Sequence, residues 1–179
     1  HSDVCIHVID AQRGFEAQDQ SIFHIADKNK KGIVILVNKW DLIDKTTATS
    51  KKVEEQIKQK IAPFTDVPIV FVSALEKQRL LKGLETAIQV HKNRKQRIAT
   101  SVLNEVMLPL IEHYPPPAVK GKYIQIKYCT QLPTDTPTFV FFANLPQYIK
   151  DAYKRYIENQ LRQHFDFCGV PIQIYFRKK

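Results

Sequence analysis

Glycine is scarce in this chain, and what it fails to build narrows the chemistry. Only five of the 179 residues are Gly, at positions 14, 32, 83, 121 and 169, and none belongs to a G-x-x-x-x-G-K-S/T loop. Such a loop lets consecutive backbone N–H groups converge on phosphate oxygens, so these residues alone are not expected to cradle a nucleotide's phosphates. No D-x-x-G and no switch Thr precede residue 33, so the usual holders of magnesium and a γ-phosphate are missing too. Cysteine is equally sparse. Cys5, Cys129 and Cys168 lie far apart with no C-x-x-C pair, which argues against zinc or a disulfide framework and reads as reduced thiols of a cytoplasmic protein. No apolar run approaches the ~20 residues needed to cross a bilayer, so no membrane span is expected. There is no initial Met, and His1 leads almost at once into a strand-like run, Val4 to Asp10. The chain is therefore expected to be a piece of a longer protein that begins inside a domain.

What is present starts with Ile33-Val34-Ile35-Leu36-Val37-Asn38-Lys39-Trp40-Asp41. An apolar run rich in β-branched residues, without polar alternation, reads as a strand buried on both faces; its polar end then falls where open parallel sheets bind ligands. Each residue type there suits a purine base. The Asp41 carboxylate can accept two parallel hydrogen bonds from the N1–H and exocyclic amine of guanine, a donor pair that adenine lacks. Asn38 can brace the loop and reach the acceptor side of the base, and the stem of Lys39 can lie across the ring. About thirty residues on, Val67 to Val72 reads as a second buried strand running into Ser73-Ala74-Leu75. Small side chains in such a turn let a base approach the main chain, whose N–H groups can meet the guanine O6. Asn38 and Asp41 are expected on the same side of the sheet as Ser73.

Around these motifs the first part alternates strand and helix. Strands are expected at 4–10, 33–37 and 67–72. Helices are expected around Gln18–Ala26, Ser50–Ala62 and Leu81–Gln96, with Ser50 as N-cap and Pro63 as the stop of the second. This rhythm implies a parallel sheet. The basic run His91 to Arg97 is expected to be a solvated helix end leading into a linker.

Beyond it the expected order is helix, strand, strand, helix, strand. Ile98, Val102, Val106 and Leu110 form one stripe; Ile124, Ile126 and Tyr128 alternate with polar residues; Phe139 to Ala143 is more apolar. Tyr153, Tyr156, Ile157 and Leu161 share a broad helical face, so these tyrosines are read mainly as core, with base stacking the lesser use. Ile172, Ile174 and Phe176 alternate with Gln173, Tyr175 and Arg177. Two helices on one face of three strands is a K-homology-like (KH-like) layout. The net charge is +9, with 16 basic and 12 acidic residues in 1–96 and 11 and 6 in 97–179. Such an excess favours an anionic partner such as nucleic acid.

The motifs in order are NKWD, SAL, R-I-A-T-x-x-L-N, Y-P-P-P, K-Y-x-Q-x-K-Y-x-T-Q, P-T-F-V-F-F-A-N, R-Y-I-E-N-Q-L-R and G-V-P-I-Q-I-Y-F-R. Together they resemble the carboxyl-terminal part of the Der (EngA) family, bacterial GTPases with two tandem G domains and a KH-like domain. The fold this implies is α/β: a partial P-loop-type G domain of three parallel strands with helices, over 1–96, followed by an α+β KH-like domain over 97–179. The resemblance implies that Asn38, Lys39, Trp40, Asp41, Ser73 and Ala74 recognise guanine. It also implies GTP or GDP with magnesium in the intact protein, and GTP hydrolysis during assembly of the large ribosomal subunit. The implied partners are ribosomal RNA, ribosomal proteins and the first G domain. Asp10 to Gly14 with Gln18-Asp19 matches the family's strand-end pattern, whereas the spacer from Glu76 to Leu81 is polar where Gly is common. Era is a rival family, but its KH domain carries a G-x-x-G loop and this chain has none. Lys120, Lys122, Lys127, Lys154, Arg155 and Arg162 are candidate RNA contacts. Two classes of function are therefore carried forward: a GTPase of ribosome assembly, and a non-catalytic module that docks on ribosomal RNA or on protein. For these residues alone no catalytic group is expected, because phosphoryl transfer needs the phosphate loop and magnesium ligands.

Overall fold

The computed structural model describes residues 2–44 and 47–178, apart from the side chains of Thr47 and Ala48. These residues fall into two compact units: the chain up to Arg94 joined by Phe167–Pro171, and Lys95–Asp166 joined by the residues from Ile172 on.

In the first unit β1 (Val4–Asp10), β2 (Gly32–Asn38) and β3 (Ile69–Phe71) form an all-parallel sheet in the order β1-β2-β3. The helices α1 (Ala17–Lys28), α2 (Thr47–Ile61) and α3 (Leu80–Lys95) alternate with the strands. The expected double burial of β2 is seen directly. Ile33, Ile35 and Val37 join Phe23 of α1 and Ile57 and Ile61 of α2 in one core, while Val34 and Leu36 join Val70, Val72, Val90 of α3 and Val170 in another. Each such side chain contributes about 1.5–3 kcal/mol by leaving water, so β2 is the strand around which the unit is organised. The α1 start is fastened where the backbone N–H of Glu16 donates to Asp19 Oδ2 at 2.9 Å.

Several local expectations need correction. Helix α2 begins at Thr47, so Ser50 lies inside it rather than capping it, and β3 is shorter than 67–72. The run His91 to Arg97 is not simply solvated, because Asn93 and Arg94 are buried. Asn93 Nδ2 donates to the Cys168 carbonyl at 3.1 Å and Arg94 Nη1 donates to the Lys30 carbonyl at 2.5 Å, so the last turn of α3 is an anchoring turn.

The second unit runs α4 (Thr100–His113), β4 (Ile126–Leu132), β5 (Thr138–Ala143), α5 (Asp151–His164), β6 (Gln173–Lys178). Its sheet order is β4-β5-β6, with β4 antiparallel and β6 parallel to β5. The α4 stripe is displaced from expectation: Leu103, Met107 and Ile111 are buried, one residue on from Val102, Val106 and Leu110, and Val102 is exposed. The first strand also differs. It begins at Ile126, and a register shift between Ile126 and Tyr128 sends Tyr128 to solvent and Cys129 into the core. A β-bulge does this by inserting one residue, which re-aims the side chains that follow. The tyrosines of α5 are tied down as expected of core residues. Tyr153 Oη donates to the Tyr114 carbonyl at 2.9 Å and Tyr156 Oη to the Leu110 carbonyl at 3.3 Å, near the carboxyl end of α4.

Candidate nucleotide-base site

The motif residues of the first unit converge at the carboxyl ends of its strands. Parallel pairing sets Asp10 of β1 opposite Asn38 of β2, and β3 ends beside them. Lys39 then takes a left-handed backbone, φ 61°, which turns the chain out of β2 into a single 3-10 turn, Trp40–Leu42. A side chain in that conformation costs about 1–2 kcal/mol, and such strain persists only where neighbours hold it. Two holders are present. The Trp40 N–H donates to the Val72 carbonyl at 3.1 Å, and the Trp40 ring lies against Phe71 with centroids 4.5 Å apart. Trp40 therefore packs toward the core and pins the loop.

The loops after β2 and β3 are joined directly, since the Ala74 N–H donates to Asn38 Oδ1 at 2.9 Å. Ser73 is buried and shapes its own turn: its Oγ accepts from the Glu76 N–H at 3.1 Å, and its backbone exchanges hydrogen bonds with Gln78. Lys77 (φ 52°) and Arg79 (φ 57°) in the polar spacer both adopt left-handed backbone, the geometry that explains why glycine suits those positions.

One partner was not legible as a site residue. Asp10 Oδ2 accepts from Lys39 Nζ at 2.7 Å, and Asp10 Oδ1 accepts from the Gln12 N–H at 2.8 Å. The Lys39 hydrogen bond, followed by that of Gln12, holds the Asp10 carboxyl below its ordinary 3.8. Asp10 thus fixes the direction of the Lys39 stem. The signal lay in register: a carboxylate ending the strand next to Asn38. Asp41 is partly exposed at the loop. The contacts join the Asp10 carboxylate to the Lys39 stem and the Asn38 amide to the main-chain turn at Ser73-Ala74.

The basic candidates of the second unit stand in different local settings. Lys120 sits at a tight turn with Gly121, at φ 50° and 74°. Lys122 Nζ lies over the Tyr148 ring at 5.7 Å, and Lys127 is the extra residue of the β4 bulge. Lys154 and Arg155 are exposed on α5, whereas the Arg162 side chain is mostly buried and paired with Glu158 at 3.2 Å.

Residues 1–116 match the family profile of the elongation factor Tu GTP binding domain, and residues 97–177 match that of the KH-domain-like, C-terminal part of EngA bacterial GTPase enzymes. The overlap, 97–116, holds α4, which belongs to the second unit. The class is thus a G-domain-type α/β fold followed by a KH-like one. The chain is 68% identical over its whole length to GTPase Der of Flavobacterium johnsoniae and 65% identical to that of Flavobacterium psychrophilum, spanning 41% of each relative. It belongs to the Der (EngA) family and carries the family's C-terminal KH-like part. Among solved structures, Aquifex aeolicus Era bound to GDP.AlF4- aligns over 99% of this chain and 65% of its own, at TM-score 0.43 and 17% identity. Among the described residues no helix is long and apolar enough to cross a membrane, and no cluster of His, Cys, Asp and Glu could hold a metal ion.

Proposed function

We propose that the first unit is the base-recognising half of a guanine-nucleotide domain, acting in a cytoplasmic GTPase that assembles the large ribosomal subunit. The observation that carries this is the 2.9 Å bond between Asn38 and Ala74, which joins the two strand-end loops into one surface. In this reading Asp41 accepts the two guanine donors, the Asp10-oriented stem of Lys39 covers the ring, and Asn38 braces the turn at Ser73-Ala74. Trp40 anchors the loop from beneath. The Ala74 N–H is already donated to Asn38, so its use by the guanine O6 would exchange one acceptor for another. GTP or GDP with magnesium belongs to the longer protein, in which phosphate binding and hydrolysis fall to residues outside this chain. The second unit, together with the first G domain, then serves as the contact with ribosomal RNA and protein, and Lys120, Lys122, Lys127, Lys154, Arg155 and Arg162 are its candidate cations.

The test is a titration of this chain with GDP and with ADP, followed by NMR at the Trp40 indole and the Ala74 amide. Weak but guanine-selective shifts, abolished by Asp41→Ala, are expected, because the charge-assisted phosphate contacts are missing. An equal response to ADP would overturn the reading. No GTP turnover above a buffer blank is expected from this chain; turnover that copurifies with it and vanishes on Asp41→Ala would contradict the division of labour.

A further inference from the structure

The β4 bulge does more than break an alternation. Ile126 pairs with Ala143 and Tyr128 with Phe142, leaving Lys127 as the inserted residue, and both Lys127 and Tyr128 reach solvent. The next position on the same row is Arg177 of β6, which pairs with Phe142 and is exposed. Tyr175, two residues earlier on β6, points to the same side as Arg177 because side chains alternate with period two. Tyr128 and Tyr175 keep 42% and 44% of their surface exposed, too much for core residues, and the Tyr128 and Phe142 rings lie 5.9 Å apart. Val140, which pairs with Tyr175, is buried, as is Thr138 two residues earlier, so the exposed positions lie on β4 and β6 at Lys127, Tyr128, Tyr175 and Arg177. The buried Cys129, Phe139, Phe141 and Ile174 fall on the opposite face by the same register.

Charge then selects the occupant. The three strands carry Lys127, Arg177 and Lys178 and not one Asp or Glu. Aromatic rings at the spacing of neighbouring strands, on strands whose charged residues are all cations, match the alternating faces and phosphates of an unpaired nucleic-acid strand. An acidic protein surface would match the cations but leave the rings without partners. A double helix would hide its base faces from them. We propose that this face of the second sheet binds single-stranded RNA, with Tyr128, Phe142 and Tyr175 stacking on bases and Lys127 and Arg177 holding phosphates. This deepens the ribosomal reading above and rests on it. It places the contact on the side chains that β4 and β6 expose.

The experiment uses the whole chain and a fluorescein-labelled mixed-sequence RNA 12-mer, read by anisotropy. Tyr128→Ala and Tyr175→Ala are each expected to weaken binding about tenfold, and Tyr128→Phe to retain most of it. Arg177→Ala should flatten the dependence of log K on log salt by roughly 0.7. Lys51→Ala with Lys52→Ala, exposed on α2 of the first unit, should leave the affinity within about twofold of the parent chain. Circular dichroism of each variant excludes unfolding as the cause. If the parent chain binds neither this RNA nor ribosomal RNA, the ribosomal reading fails, and the sheet proposal with it. If the parent binds but the Tyr128 and Tyr175 variants bind equally well, or a hairpin duplex competes as strongly as the single strand, the sheet proposal alone is overturned.

Discussion

The two sheets solve the burial problem in opposite ways. In the first, β2 has core on both faces and its polar residues are pushed to its end. In the second, the central strand β5 is also largely apolar, but β4 puts Lys127 and Tyr128 into solvent and β6 puts Tyr175, Arg177 and Lys178 there. A sheet covered on both sides can present chemistry only at strand ends. A sheet with exposed positions along its strands can present it along their length. The candidate base site sits at the end of the first sheet, and the aromatic and basic row lies across the second, for that reason.

The comparison can be broken first in the cores. Ile35 and Leu36 lie on opposite faces of β2, and either one replaced by Ala should cost about 2–5 kcal/mol. In the second sheet Phe141→Ala should cost about 3–5 kcal/mol, whereas Tyr175→Ala should stay within about 0.5 kcal/mol. Urea midpoints measure all four, with Trp40, the sole tryptophan, reporting on the first unit. Equal costs for Phe141 and Tyr175 would mean that the second sheet is covered after all.

A smaller loss is expected at Gly169. Its φ of +77° suits glycine, and an added Cβ would stand 2.9 Å from the Ile33 carbonyl and 2.6 Å from Val90 Cγ2. Gly169→Ala should cost about 2–4 kcal/mol, seen as a lower urea midpoint by Trp40 fluorescence. An unchanged midpoint would show that the segment yields. Next comes Asn38→Ala, which leaves the Ala74 N–H without its acceptor; a loss of about 1 kcal/mol and faster hydrogen exchange at Ala74 are expected.

The smallest effect concerns pH. Because the Asp10 pKa is lowered in the folded chain, its ion pair with Lys39 is fully present above the ordinary carboxylate value and is lost as pH falls through the lowered one. An NMR titration should therefore show Lys39 shifts moving only below about pH 4, and Asp10→Asn should remove that step. At the other sheet, burial pushes the Cys129 thiol up to about 12, so it should resist alkylation at pH 8 while Cys5 and Cys168 react faster.

Legibility followed the range of the forces involved. The burial of β2 and the strand-helix rhythm were open to reading because they depend on neighbours in sequence and on a simple period. Ser50 was misplaced because any small polar residue can cap a helix, and only packing chooses the starting turn. Asn93 and Arg94 looked like surface residues because their carbonyl partners, on Cys168 and Lys30, lie far off in the chain. The role of Asp10 was hidden in the same way, since its partner Lys39 is 29 residues distant. The α4 stripe slipped by one position because several apolar residues on one helix allow more than one face.

The amino-acid sequence by itself determined that one strand would be buried on both faces and end in Asn-Lys-x-Asp, and that a Ser-Ala turn would follow the next. Those features rest on local composition, and no partner is needed to state them. Only the tertiary structure decided that Asp10 would steer Lys39, that Asn38 would bond the turn at Ala74, and that Tyr128 would face water. Each of the three depends on strand register. Register is set when whole faces are buried at once, so a single inserted residue such as Lys127 can reverse what alternation predicts.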